Sequence, residues 1–194
     1  MNNKTQNITL LGILTSIIII MTAVPGLGFI PIGLVNATII HVPVIILAIV
    51  KGPKMGAILG IIFGLSSMAN AFLRPTPTSF LFMNPIIAIG PRILIGVLSG
   101  YSFIFIKKLL KNDSISAGLA AGIGSMTNTV GVLGLIYIIY AQRYLEVTKI
   151  DGQNAFNVLL GIAGGQGVIE MLVCIAIVIP IATILLKLDR RGIL

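Results

Sequence analysis

The chain has 194 residues, 57% of them hydrophobic and only 9% charged, where a soluble domain needs roughly 25% charged residues to coat its surface. That balance excludes a soluble enzyme and a disordered tail, and predicts a single-domain, all-α membrane protein. Thirteen Lys and Arg against five Asp and Glu give a net charge of +8, while one Cys and one His rule out a disulfide framework and argue against a Cys/His metal site.

Six apolar segments bounded by charges or by Pro and Gly are predicted as membrane-spanning helices, near residues 8–24, 35–50, 55–72, 84–106, 115–140 and 156–186. Lys4 precedes the first run in the manner of a signal peptide. That run is about seventeen residues, longer than a usual signal core, and no clear Ala-x-Ala site follows, so a retained first helix is expected. Gly12 and Ser16 share one face of it, small enough to admit a partner helix. The uncharged stretch from Pro25 to Gly33 comes next, a segment able to dip into the membrane where protein covers its backbone. Helix 2, short for a span, carries His41.

Small residues then recur every four positions: Gly56, Gly60 and Gly64 in helix 3, Gly96 and Gly100 in helix 4, Gly118 and Gly122 in helix 5, Gly161 and Gly165 in helix 6. Such spacing puts them on one helix face, where backbones approach closely, and packing within the bundle is the simpler reading. Helix 4 extends its stripe with polar groups, as Asn84, Ala88, Arg92, Gly96 and Gly100. Pro85 and Pro91 each remove a backbone donor there and are expected to free carbonyls near the arginine. Helix 5 aligns Ala121, Gly124, Asn128 and Gly131, and helix 6 aligns Gln166 with Glu170. The outer connections supply Asn36, Asn70, Thr76, Thr78 and Ser79 together with Phe72, Phe80 and Phe82. Cys174 reads as buried packing.

The basic residues sort by side. With six spans and an inner N-terminus, Lys4, Lys51, Lys54, Lys107, Lys108, Lys111, Lys187, Arg190 and Arg191 lie inside. Arg74, Arg143 and Lys149 lie outside, and Arg92 lies within helix 4. The excess of positive charge on one side predicts both termini in the cytoplasm. The +8 is therefore a topology signal, and no soluble basic face exists to bind nucleic acid.

Ionisable side chains inside a span are costly and mark functional positions by default. His41, Arg92 and Glu170 qualify, and the depth count puts all three about 10–20 Å below the outer surface at 1.5 Å per residue. One reading is a pocket open to the outside in which Arg92 binds an anionic solute, since guanidinium matches carboxylate bidentately. The other is an internal Arg92–Glu170 ion pair that only ties helices together; a combination, with Glu170 orienting Arg92, is also open. His41 is either a ligand donor or a satisfied histidine of the bundle. No Walker A loop, H-E-x-x-H motif or hydrolytic triad is present in the sequence, so neither ATP hydrolysis nor an intramembrane enzyme is expected of this chain. No inverted repeat of broken helices suggests a stand-alone transporter, and a binding subunit that works with partners is the simplest remaining class.

At these residues the sequence resembles a known family. Asn36-Ala37-Thr38-Ile39-Ile40-His41-Val42-Pro43-Val44-Ile45-Ile46 resembles the second helix of S components of energy-coupling factor (ECF) vitamin transporters. Lys51-Gly52-Pro53-Lys54-Met55-Gly56-Ala57, Gly60 through Ser67, Ser79-Phe80-Leu81-Phe82, Asn84-Pro85 and Pro91-Arg92 continue the match. Within the family it is most similar to pantothenate-type members. The resemblance implies a multi-pass subunit of the cell membrane with no cofactor of its own, joining a T component and two ATPase subunits that consume ATP. It also implies a vitamin site in the outer half of the bundle and delivery by toppling within the membrane. For pantothenate, an anion with an amide and hydroxyls, the substrate-binding residues would be Arg92, Asn128, Asn84, Asn36, His41 and Glu170, with Phe80 and Phe82 closing over the ligand. Family members contact the T component through small residues of helix 1, often Ala-x-x-x-Ala; here Gly12 and Ser16 stand in that place. Alternatives within reach of the same residues are hydroxymethylpyrimidine or a B6 vitamer as ligand, and a stand-alone facilitator.

Overall fold

A computed structural model describes residues 3–32, 35–148 and 154–192. The chain runs α1 (Asn3–Ala23), β1 (Phe29–Ile32), β2 (Val35–Thr38), α2 (Val42–Lys51), α3 (Pro53–Leu73), α4 (Ser79–Met83), α5 (Pro85–Leu110), α6 (Asp113–Thr148), α7 (Ala155–Ile162) and α8 (Val168–Arg190). A π-helical turn at Ala163–Gly167 joins α7 to α8. Proline opens α2, α3 and α5, where its missing N–H would lack a helical partner in any case. Gly52 separates α2 from α3 at φ 90°, a conformation that side chains with a Cβ rarely take.

Five helical stretches among the described residues are long and apolar enough to cross a bilayer: Thr5–Ala23, Pro53–Leu73, Pro85–Leu110, Asp113–Thr148 and Ala155–Arg190. Their outer surfaces carry bare apolar side chains, with Leu73 80% and Ile138 77% exposed, as lipid-facing positions require. The protein is an all-α membrane protein apart from one small hairpin.

That hairpin revises the second predicted helix. Val35–Thr38 pairs antiparallel with Phe29–Ile32, from Phe29 opposite Thr38 to Ile32 opposite Val35. The helix expected from residue 35 therefore begins at Val42. β-Branched Val35 and Thr38 favour the strand, and Asn36 between them is a weak helix former. α2 is left with ten residues, about 15 Å of helix, and every residue from Val42 to Val50 is buried. A helix apolar on all sides belongs at the centre of a bundle. Val44, Ile45 and Leu47 of α2 form its core with Leu59, Ile95, Ala117, Ala121, Cys174 and Val178. At the far end of the chain's fifth predicted span, α6 runs on to Thr148 through a break at Tyr140 (φ −134°, ψ 21°).

Most of the glycine faces pack as their spacing predicts. A Cβ on Gly96 would fall 2.2 Å from the Gly56 carbonyl carbon, and one on Gly64 2.7 Å from the Ala88 carbonyl oxygen, so α3 and α5 touch backbone to backbone. Gly118 and Gly122 meet the Ile175 side chain of α8. Gly161 and Gly165 do not pack against the described residues: a Cβ on either would meet none of their atoms within 4 Å. The π-helical turn shifts the helical register there, and Gly167 instead faces α6, where its Cβ would lie 2.6 Å from the Thr129 methyl.

Ion pairs collect at one end of the bundle. Lys51 pairs with Asp189 at 2.5 Å, and Asp113 pairs with Lys107 at 2.6 Å and with Arg190 at 2.7 Å. Gln6 donates to the Gly192 carbonyl at 3.2 Å. The start of α1 and the ends of α2, α5 and α8 thus share one end, and the cavity lies at the other.

Candidate substrate-binding site

A cavity of about 560 Å³ opens at that opposite end, inside the range of roughly 300–1,000 Å³ usual for small-molecule sites. The end of α1 contributes Thr22, β2 contributes Thr38, and α3 contributes Phe63, Ser67 and Asn70. Thr76, Thr78, Ser79 and Phe82 come from the α3–α4 connection and α4. Arg92 enters from α5, Asn128 and Thr129 from α6, and Gln166, Gly167 and Glu170 from the π-helical turn and the start of α8. Arg74 stands at the rim and donates to the Ala23 carbonyl, tying the end of α3 to the end of α1.

Arg92 is the buried cation of this space, 6% exposed. The close crossing of α3 and α5 sets its backbone, because a Cβ on Gly60 would lie 2.2 Å from the Arg92 carbonyl oxygen. Its guanidinium carbon sits 5.2 Å from the ring centres of both Phe63 and Phe82, contacts in which the ring quadrupoles stabilise the charge. Nη1 donates to the Ile87 carbonyl at 2.8 Å, while Nε is buried and has no partner among the described residues.

Glu170 does not supply that partner. Its Oε1 accepts the Thr38 backbone N–H at 2.9 Å and the Gln166 side-chain amide at 3.1 Å, and no ion pair between Arg92 and Glu170 occurs among the described residues. The carboxylate ties the hairpin to α8, and the guanidinium is left to the cavity. Asn128 Oδ1, Thr129 Oγ1 and Thr22 Oγ1 are also buried without partners among the described residues. Buried polar atoms normally find hydrogen bonds, and four of these atoms, on Thr22, Arg92, Asn128 and Thr129, belong to residues that line the one cavity.

The other sequence-predicted site residues fall elsewhere or on the margin. Phe82 lines the cavity. Phe80 turns away from it, edge-on to Tyr140 at 5.3 Å, with the Arg143 guanidinium 4.3 Å above its ring. Asn84 caps α5 by accepting the Ile86 N–H at 3.0 Å and donates to the Tyr140 hydroxyl at 3.3 Å. His41 is fully buried between α2 and α6, 3.2 Å from the Ser125 hydroxyl, and does not line the cavity. The Asn36 side chain lies outside the described residues. Gly12 and Ser16 are exposed on α1, with Ser16 donating to the Gly12 carbonyl at 3.0 Å and nothing within 4 Å of a Cβ on Gly12. Phe63 and Thr38 are cavity residues that the sequence reading passed over. Phe63 carried a usable signal, an aromatic lying between Gly60 and Gly64 of a close-packed helix.

Long apolar helices enclose a largely apolar cavity into which the buried Arg92 brings a guanidinium with no acid partner among the described residues, an arrangement suited to a small acceptor-bearing molecule. The chain belongs to the family of ECF transporter substrate-specific components, which it matches over residues 6–182. It is similar to the pantothenate transporter PanT of Leuconostoc mesenteroides, 32% identical over 201 residues that cover 98% of this chain and 97% of that one. It is also similar to the pantothenic acid transporter PanT of Lactococcus lactis subsp. cremoris, 38% identical over 122 residues covering 56% of this chain and 60% of the relative. The chain is thus the substrate-binding subunit of an ECF-type importer and a multi-pass protein of the cell membrane.

Proposed function

We propose that this subunit captures pantothenate from outside the cell and delivers it inward with a T component and two ATPase subunits, which consume the ATP. The observation that carries the substrate is Arg92: a buried guanidinium, flanked by two aromatic rings and unpaired with any acid among the described residues, in a cavity of vitamin size. Both curated relatives are named for pantothenate. In this reading the ligand carboxylate pairs with Arg92, and its hydroxyl and amide groups meet Asn128, Thr129 and Glu170. Phe82 closes over it. The chain needs no cofactor of its own, and the exposed Gly12–Ser16 face of α1 receives the T component.

Six crossings with both termini in the cytoplasm accompany this reading. α1 leaves the basic end and α2 ends there beside Asp189, which supports a return crossing between them. The hairpin takes up the outer part of that path and the short α2 the inner part. Mass spectrometry of the small molecule that copurifies with the protein tests the substrate: pantothenate is the expected mass, and hydroxymethylpyrimidine or a B6 vitamer would replace this reading.

A further inference from the structure

We infer that Pro91 is a positioning residue for anion recognition: it vacates the Ile87 carbonyl, which anchors one nitrogen of Arg92 and leaves the other edge of the guanidinium for a carboxylate. This deepens the pantothenate reading and rests on it.

Pro91 lies inside α5 and is buried. In an α-helix the carbonyl of residue i accepts the N–H of residue i+4, so the helical partner of the Ile87 carbonyl would be the N–H of residue 91. Proline has none. A buried carbonyl without a donor is costly, and Arg92 Nη1 supplies one at 2.8 Å. The geometry suits the helix, whose side chains lean toward its N-terminus and reach backbone one turn earlier.

The anchor also decides which donors remain. Guanidinium is planar, so the hydrogen bond at Nη1 together with the Phe63 and Phe82 rings limits how it can turn. Nη1 lies on the same side as the Cδ stem, while the Nε and Nη2 hydrogens point together along the opposite edge. Nε is buried and without a partner among the described residues. The free edge matches the two oxygens of a carboxylate, and a pre-oriented fork loses less freedom when the ligand arrives. The competing explanation is that the Pro91 ring only fills space against α6, where a Cβ on Gly131 would lie 3.1 Å from it.

Pro91→Ala in the full chain separates the two, because alanine returns an N–H that competes with Arg92 for the Ile87 carbonyl. Dissociation constants are measured for pantothenate and for pantothenol, in which an alcohol replaces the carboxylate, together with the melting temperature of the ligand-free protein. The expected result is pantothenate affinity about tenfold weaker, the size of one charge-assisted hydrogen bond. Pantothenol affinity stays unchanged and the melting temperature is equal or higher. In an Arg92→Lys background, which lacks the fork, Pro91→Ala leaves the acid-over-alcohol preference as it is. Parallel loss of both affinities and of melting temperature would overturn the role and leave Pro91 a packing residue. If alanine blocks insertion, Pro91→Ser carries the same N–H and is read in the same way. A wild-type protein that does not bind pantothenate overturns the parent reading. One that binds it, with unchanged preference in Pro91→Ala, overturns only the role of Pro91.

Discussion

Arg92→Ala is expected to weaken pantothenate binding by roughly 30-fold to more than 1,000-fold while the protein still inserts and melts close to wild type. Truncating one partner of a buried, hydrogen-bonded charge pair costs about 2–5 kcal/mol, because the other charge stays buried without its counterpart. Here the stranded group is the ligand carboxylate, so the cost falls on binding. The free protein loses little. No acidic partner of Arg92 among the described residues is left behind, and the two rings at 5.2 Å lose only a cation contact of about 1–2 kcal/mol. The buried Ile87 carbonyl loses its donor, and the space vacated by the arginine side chain, which lines the cavity, admits a water in its place. Equilibrium titration alongside thermal melting checks both halves. Unchanged affinity would remove Arg92 from the site, and a collapse in melting temperature would make it structural.

Gly60→Ala is the second substitution with a large expected effect. Its added methyl would sit 2.2 Å from the Arg92 carbonyl oxygen and 2.8 Å from the Arg92 carbonyl carbon. These are backbone atoms, so α3 and α5 must separate, at a cost of about 1–3 kcal/mol for overpacking. The displaced residue is Arg92 itself, so binding weakens together with stability. Gly161→Ala provides the contrast, since its methyl meets nothing within 4 Å and alanine is the better helix former. Paired melting and titration of the two variants should show a lowered melting temperature and affinity at position 60 and neither at 161. Equal behaviour at both positions would mean that the α3–α5 crossing does not set the site.

The legibility of this chain followed the strength of its local patterns. Spacing of four put Gly56, Gly60 and Gly64 on one helix face and Ala88, Arg92 and Gly96 on another, because helix geometry alone determines each stripe; that the two faces meet is seen in the structure. The cost of a charge inside a span singled out His41, Arg92 and Glu170; Arg92 and Glu170 line the cavity, and His41 does not. What they bond to was not legible: Glu170 takes the Thr38 N–H from a hairpin 132 residues away in sequence. That hairpin hid inside an apolar run where neither strand alternation nor a two-residue turn signal stood out. Asn84 and Phe80 carry the right chemistry on the right elements, yet one caps a helix and the other packs on Tyr140. Periodicity gives a face of a helix, and tertiary neighbours decide what that face meets. Gly161 and Gly165 show the same limit, since a π-helical turn rotates them off the packing face that their spacing implied.

Uptake by proteoliposomes tests the central claim most directly. Vesicles holding this chain alone should bind pantothenate without accumulating it. Vesicles that also hold a T component and two ATPase subunits should accumulate it when ATP is supplied on the side of the ATPases. Equilibration of pantothenate across the membrane by the chain alone would contradict the account and make the protein a facilitator.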